Sequence, residues 1–321
     1  MDSKSKVMTL EEAVKEFVHD GDWIALSGFV TNRKPYAAVR EIIKQGRKDL
    51  YLESGPGGGD VDMLIGAGCV KVLLNSYTAN SGFSQVCRRF RKYVEEGKIL
   101  MEDYSLDVHT LLYHAAALGL PYVAVKNMLG SDLVRKWGIP EEVYANDPKL
   151  PSKKLIVDRN PFNPDEQLCL VPTPKIDISI VHVQKAAQDG TARIEGPQFG
   201  DIDLAMAAKN CIITCEEIVH QDELRREPWQ NQIPNVVPDA VVHLPYGAHP
   251  AQCANCYDYD GLFLRMYDKV SGDDEQFQEY LDEWVFGIKD HCEYLSKVGA
   301  SRLMSLRVQP GYGYVPGLKR R

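Results

Sequence analysis

The stretch Asp22-Trp23-Ile24-Ala25-Leu26-Ser27-Gly28-Phe29-Val30-Thr31-Asn32-Arg33-Lys34-Pro35, continued by Tyr36 to Gln45, carries three signals in a row. A short apolar run centred on Trp23 to Leu26 stops at Gly28. Phe29 to Lys34 form a loop, and Pro35 leads a segment with proline at its first helical turn. The order is strand, loop, helix, and it recurs downstream. Leu50 to Glu53 reads as a strand, Ser54-Gly55-Pro56-Gly57-Gly58-Gly59 as a Gly-rich loop, and Asp60 to Ile65 as a helix. Val70 to Ser76 is a third strand, followed by a polar loop through Gly82 and a helix from Ser84 to Glu95. Strands alternating with helices predict an α/β fold with an open, mostly parallel sheet flanked by helices.

Upstream, Thr9-Leu10-Glu11-Glu12 matches a capping box, and Val14, Phe17 and Val18 continue at helical spacing, so a first helix runs to about His19 until Gly21 stops it. Between Gly138 and Glu166 the rhythm breaks: Pro140, Pro148, Pro151, Pro161 and Pro164 punctuate a segment of little periodicity. It reads as an excursion or a domain-joining connection. Beyond it, Gln167–Val171 and Ile176–Val183 read as strands, Asp201–Lys209 as a helix, and Cys211–Cys215 and Ala240–Leu244 as strands. Phe277–Ile288 reads as a late amphipathic helix. Residues 308–321 form a Gly/Pro-rich basic tail. The reading is a single α/β domain over residues 1–321.

At 321 residues the chain has room for a sizeable core, since domains run to roughly 100–200 residues. Hydrophobic residues at 44% and charged residues at 26% fit neither a disordered nor a fibrous chain. A net charge of -8 argues against a protein whose affinity comes from neutralising nucleic-acid phosphates. The N-terminus Met1 to Lys6 lacks an apolar core, and the apolar stretch from His114 to Val125 is broken by Gly119 and Pro121. Neither a signal peptide nor a membrane span is expected, and the cytoplasm is the expected location. The eight cysteines are too dispersed for a disulfide scaffold and read as thiols.

Three loops follow predicted strands: Gly28 to Lys34, Ser54 to Asp60, and Ser76 to Gly82. In an open α/β sheet these share one edge, where backbone N–H groups and helix N-termini receive anionic ligands. No dinucleotide or P-loop spacing is present, so neither NAD nor ATP is expected. Cys253-Ala254-Asn255-Cys256 is a C-x-x-C without a second pair, and no metal is expected. Arg88-Arg89-Phe90-Arg91-Lys92 is a solvated basic face or an anion contact. His249, within Pro245 to Pro250, either orients a substrate or binds a neighbouring carbonyl. Glu53, Glu102 with Asp103, and Glu216 with Glu217 are carboxylates at the ends of predicted strands, where a sheet-edge site would use them.

Quoted together, the loops say more. They are Ser27 to Pro35, Gly59-Asp60-Val61-Asp62-Met63-Leu64-Ile65-Gly66, Asn75-Ser76-Tyr77-Thr78-Ala79-Asn80-Ser81-Gly82, Met101 to Ser105, His114 to Pro121, and Pro245 to Pro250. In that order, from Val7 to about Tyr314, the chain resembles the A-type subunits of the class I CoA-transferases, the branch acting on glutaconate. The resemblance implies a fold related to ribose-5-phosphate isomerase and glucosamine-6-phosphate deaminase. It also implies a mechanism, in which a glutamate attacks an acyl-CoA thioester, forms a mixed anhydride, holds CoA as an enzyme thioester and passes it to an acceptor carboxylate. Such chemistry needs an unhindered carboxylate, donors for an oxyanion, and exclusion of water.

The family's nucleophile lies in a Glu-Asn-Gly element of the other subunit, and this chain contains none; Glu53-Ser54-Gly55 is an echo and Glu53 a decoy. The resemblance therefore implies half a site, completed by a homologous B subunit in a hetero-oligomer. CoA would be moved from acetyl-CoA to a dicarboxylate such as glutaconate or 2-hydroxyglutarate, with the CoA thioester as substrate and no cofactor held permanently. Expected substrate-binding residues are Gly28, Phe29, Asn32, Arg33, Lys34, Ser76, Asn80, Ser81 and His249, with Arg33 and Lys34 meeting the distal carboxylate and Glu102 as an auxiliary. One alternative is a subunit of an acyl-CoA hydrolase or decarboxylase on the same fold. Another is a non-catalytic ligand-binding regulator, which would need an appended DNA-binding module for which neither terminus leaves room.

Overall fold

The computed structural model describes residues 5–309, 313 and 314, so most of the expected basic tail lies outside the described residues. Among them run eleven strands: β1 Trp23–Leu26, β2 Leu50–Gly57, β3 Val70–Thr78, β4 Leu100–Asp103, β5 Tyr122–Val125, β6 Ile156–Asn160, β7 Asn163–Pro172, β8 Ile178–Ala187, β9 Ala192–Arg193, β10 Asn210–Val219 and β11 Ala240–His243. The main sheet runs β11-β10-β8-β1-β2-β3-β4, with the short β9 antiparallel to β8. All the other pairings in it are parallel.

The alternation of side chains along each strand sorts this sheet into two faces. Ile24 and Leu26, Leu50 and Leu52, and Leu73 pack on one side with Val39, Ile42, Val61 and Leu64 of the helices Tyr36–Lys44 and Gly59–Gly66. Trp23, Ala25, Tyr51, Val72 and Leu74 pack on the other with Val108, Leu112 and Tyr113 of the helix Leu106–Ala117. The first helix, Leu10–Phe17, begins as its sequence predicts: the Thr9 hydroxyl accepts the Glu12 N–H at 3.2 Å, and the Glu12 carboxylate accepts the Thr9 N–H at 3.0 Å.

Strand order positions the site. The chain lays β1 to β4 outward in one direction, then returns to place β8 on the other side of β1. The connections leaving β1 and β8 therefore diverge at their carboxyl ends, where open α/β sheets receive ligands.

Several sequence expectations are corrected. Ser54 to Gly59 is not a loop: β2 continues to Gly57, fully buried, pairing Ser54 with Asn75, Pro56 with Tyr77 and Gly57 with Thr78. Glycine serves closeness there, since a Cβ on Gly57 would sit 2.7 Å from the Thr78 hydroxyl. The helix expected from Ser84 starts only at Arg88, because the Ser84 carbonyl accepts the Asn80 N–H and holds the loop closed. The late helix runs over Asp274–Leu281, capped by the Asp273 side chain at its start, and widens into a π-helical turn at Asp282–Phe286. The Pro-rich excursion is not structureless. It supplies the helix Glu141–Asn146, β6 and the start of β7, and β5-β7-β6 form a second, antiparallel sheet.

Candidate active site

The loop after β1 closes on itself: Phe29 N–H donates to the Asn32 carbonyl and Asn32 N–H to the Phe29 carbonyl, each at 2.9 Å. Gly28 makes this turn feasible, with φ +87° and no room for a Cβ, which would lie 2.4 Å from the Asn32 oxygen. Val30 and Arg33 also hold left-handed backbone, at φ 54° and 51°. That conformation is costly for side chains other than glycine and persists only where surroundings enforce it.

Asp201 is the enforcer. It accepts the Gly28 N–H at 2.7 Å and the Phe199 N–H at 3.0 Å, and pairs with the Arg33 guanidinium at 2.6 Å. Arg33 also donates to the carbonyls of His182 at 3.0 Å and Pro197 at 2.8 Å. Neither side chain of the pair has any exposure. Beside them Lys34 Nζ lies 3.4 Å from Asp60, again with both side chains fully buried. Arg33 and Lys34, expected to meet a substrate carboxylate, are thus both buried in this chain beside carboxylates of its own. Arg33 fixes the loop through its hydrogen bonds, whereas Lys34 Nζ is close to Asp60 without a hydrogen-bond partner.

Other members of the expected set do face the sheet edge. Phe29 is exposed and lies against Phe199, with ring centroids 5.7 Å apart. Ser81 is exposed, while Gly28, Asn32 and Asn80 are buried. Asn80 Oδ1 accepts the Gly59 N–H at 2.9 Å, tying the loop after β3 to the helix after β2. Asn32 donates from its amide to the Pro197 carbonyl at 3.3 Å. Ser76 is half-buried, and its hydroxyl has no partner; the same holds for Ser54 Oγ, Asn75 Oδ1 and Thr78 Oγ1. Ser54 and Asn75 are register neighbours across β2 and β3, and Ser76 and Thr78 follow two residues apart. A buried polar atom left unpaired costs about 1–3 kcal/mol, and four such atoms lie at the paired ends of β2 and β3.

Glu102, Glu53 and His249 are engaged inside the fold. Glu102 accepts from Lys154 at 2.7 Å, Tyr144 Oη at 2.9 Å and the N–H groups of Asp103, Gly138 and Ile139 at 3.0 to 3.3 Å. Fully buried, it anchors the excursion to β4, which corrects the auxiliary role expected for it. Glu53 is buried against His109 Nδ1 at 2.9 Å and Trp23 Nε1 at 3.3 Å. His249 is corrected too: its ring is buried between Tyr294 Oη at 2.7 Å and Asp260 at 3.2 Å, away from solvent. Burial pulls its pKa down despite the Asp260 contact.

At this edge the expected carboxylate Glu216 meets a partner that sequence reasoning missed, His182. His182 on β8 contacts Thr214 Oγ1 through Nδ1 at 2.8 Å and Glu216 through Nε2 at 2.7 Å. Glu216, inside β10 rather than after it, also accepts from Tyr257 Oη at 2.5 Å and the Tyr246 N–H at 2.7 Å. Glu216, Tyr246 and Tyr257 border a cleft of roughly 860 Å³ that is also lined by Gln184, Cys256 and Arg307, with His182 buried behind Glu216. The signal available was His182 itself, an imidazole in the apolar second half of the predicted strand Ile176–Val183. Among the described residues no helix is long and apolar enough to cross a membrane.

A parallel sheet whose carboxyl edge carries strained loops and unpaired hydroxyls defines a ligand-handling α/β protein, and the chain belongs to the coenzyme A transferase family, whose model matches residues 7–244. It is 55% identical to the A subunit of glutaconate CoA-transferase from Acidaminococcus fermentans over 310 residues, covering 97% of each chain. The crystal structure of glutaconate coenzyme A-transferase from that organism superposes with a TM-score of 0.95 at 55% identity, covering 97% of this chain and 98% of that one. The crystal structure of a variant of the decarboxylase AibA/AibB gives a TM-score of 0.72 at 26% identity, covering 88% and 98%.

Proposed function

We propose that the chain is the A subunit of a two-subunit enzyme that moves CoA from acetyl-CoA to a dicarboxylate such as glutaconate or 2-hydroxyglutarate in the cytoplasm. The observation that carries this reading is the 55% identity, over nearly the whole of both chains, to the A subunit of glutaconate CoA-transferase. A homologous B subunit supplies the nucleophilic glutamate. Its carboxylate oxygen attacks the thioester carbonyl and expels CoA thiolate. The thiolate then takes the glutamyl carbonyl, and acetate leaves.

The engagement of Glu53 and Glu102 in buried contacts supports placing the nucleophile on the partner, because an attacking carboxylate must be free to approach a carbonyl. This chain's part is to orient the acceptor. Ser76, with its unpaired hydroxyl, Ser81 and Phe29 border the acceptor, while Gly28, Asn32 and Asn80 hold their loops. CoA enters as substrate rather than as a resident cofactor.

Borohydride trapping tests the reading. Acetyl-CoA without acceptor leaves a CoA thioester on the partner's glutamate, and borohydride reduces it to an alcohol that peptide mass mapping locates. A reduced residue at Glu53 or Glu102 would overturn the half-site assignment. Absence of any adduct would favour a hydrolase or decarboxylase, a reading that the likeness to AibA/AibB keeps in view.

A further inference from the structure

We propose that His182, Glu216 and Cys253 form a binding site for a zinc-like divalent cation, buried behind Glu216 where that residue borders the cleft. The absence of a second cysteine pair makes Cys253 and Cys256 look like an isolated motif in the sequence. The fold supplies what the spacing lacks. β8 brings His182 and β10 brings Glu216 to the turn that carries the cysteines, and one ligand atom from each of His182, Glu216 and Cys253 lies within 4.8 Å of the others.

The donor set of imidazole, carboxylate and thiolate is the mixture that zinc accepts. Around a tetrahedral zinc, with bonds of about 2.0 to 2.3 Å, such atoms sit about 3.3 to 3.6 Å apart. His182 Nε2 and Glu216 Oε1, at 2.7 Å, need only part to admit the ion, and the sulfur needs to approach by about an ångström.

The groups behind the ligands are in place. Thr214 Oγ1 holds His182 Nδ1 at 2.8 Å, which fixes the ring and leaves Nε2 for a metal. Glu216 is oriented by Tyr257 Oη and the Tyr246 N–H. Partners of this kind are what set a metal ligand's direction and basicity. His182 and Glu216 stand on adjacent strands of the sheet, which pair through Thr214 and His182. Cys253 is held by hydrogen bonds with Tyr257 across its turn. A site on such rigid elements keeps its geometry. Glu216 lines the cleft, which gives an entry path. On binding, the thiol proton of Cys253 passes to solvent, and the proton of His182 resides on Nδ1, directed at the Thr214 oxygen. No electron changes hands. The cation would then clamp β8, β10 and the turn of residues 253–257 together, independently of which reaction the family member performs.

The test uses the reduced, chelator-treated full chain and Co²⁺ as the spectroscopic probe, followed by competition with Zn²⁺. One equivalent of Co²⁺ should produce a thiolate-to-cobalt charge-transfer band in the near ultraviolet that Zn²⁺ removes. Cys253→Ser should abolish the band and weaken Zn²⁺ binding by more than about 100-fold, beyond the ~10–100-fold typical of losing a residue that only orients a ligand. Thr214→Val, which removes only the orienting hydroxyl, should keep the band and weaken binding within that smaller range. Cys292→Ser, at an exposed cysteine, should change nothing. Far-ultraviolet circular dichroism establishes that each variant is folded. A wild-type chain that shows no band, or a folded Cys253→Ser variant with an undiminished band, overturns the proposal.

Discussion

Replacing Asp201 with Asn tests whether the Arg33 pair fixes the loop after β1. The substitution keeps the side chain's shape and one acceptor, so the Gly28 N–H retains a partner at the 2.7 Å position. It removes the charge opposing Arg33, which has no exposure and cannot turn to water. Breaking a buried pair by removing one member costs about 3–5 kcal/mol, because the other charge is left uncompensated. At about 2 °C per kcal/mol for a chain of this size, Tm should fall by about 6–10 °C. Arg33→Met should cost a comparable amount, since it strips donors from Asp201 and from the carbonyls of His182 and Pro197. The double variant is decisive: with both charges gone it should recover at least ~2 kcal/mol of the summed single losses, the coupling expected of residues in contact. Urea unfolding at fixed protein concentration, with the partner chain either present throughout or absent throughout, measures all four states. A loss below about 1 kcal/mol for Asp201→Asn, or strict additivity in the double variant, refutes the reasoning. Arg33 would then return as a cation free to meet substrate.

Gly28→Ala places a Cβ against the Asn32 carbonyl at 2.4 Å and demands a left-handed alanine, so it should destabilise by more than about 1 kcal/mol, read as a lower urea midpoint. Asp62, buried beneath Tyr267 and the Phe90 N–H, has its carboxyl pushed up by burial from 3.8 to about 6. The native state therefore holds this proton to higher pH than the unfolded chain does, so its contribution is full below pH ~4 and is lost as pH rises through ~6, by about 3 kcal/mol. Asp62→Asn should flatten that part of the stability profile, and a variant with the wild-type slope between pH ~4 and ~7 would contradict it. Ser76→Ala, removing an unpaired hydroxyl, should raise KM for the acceptor acid about 5-fold, the equivalent of the roughly 1 kcal/mol of a typical hydrogen bond, while the half-reaction with acetyl-CoA is unchanged in single-turnover kinetics.

Much of the fold was legible because its signals are local. The capping box at Thr9, the run Trp23 to Leu26 and the proline at residue 35 each act within a few residues. What sequence reading lost was long-range. Arg33 and Lys34 look like solvent-facing cations because Asp201, which neutralises Arg33, lies 168 residues away. Glu102 looks like a free carboxylate because Lys154 and Tyr144, in the Pro-rich excursion, are invisible as its partners until the chain folds. Glycines of residues 55–59 suggest a turn, whereas β2 uses those at 55 and 57 to pass close beneath Phe199 and Thr78. The contact of His182 with Glu216 stays hidden for the same reason, although Glu216 itself was a candidate: only the pairing of β8 with β10 brings the two together. The site edge could be found from strand ends, but which of its charges are matched internally could not.

The position of β1 has a consequence for how the chain is made. Its loop, at residues 28–35, leaves the ribosome before the residues that hold it, Asp201 and the backbone of Gln252, with Arg33 N–H donating to the Gln252 carbonyl at 2.7 Å. One flank of β1 can pair with β2 at once, but the other must wait for β8. Until then the nascent half-sheet presents an open apolar edge, the kind of surface that recruits wrong partners. Closing it requires contacts of long sequence separation, which slow folding. The loop after β1 is thus synthesised well before the residues that lock it, and its maturation reports completion of the sheet around β1.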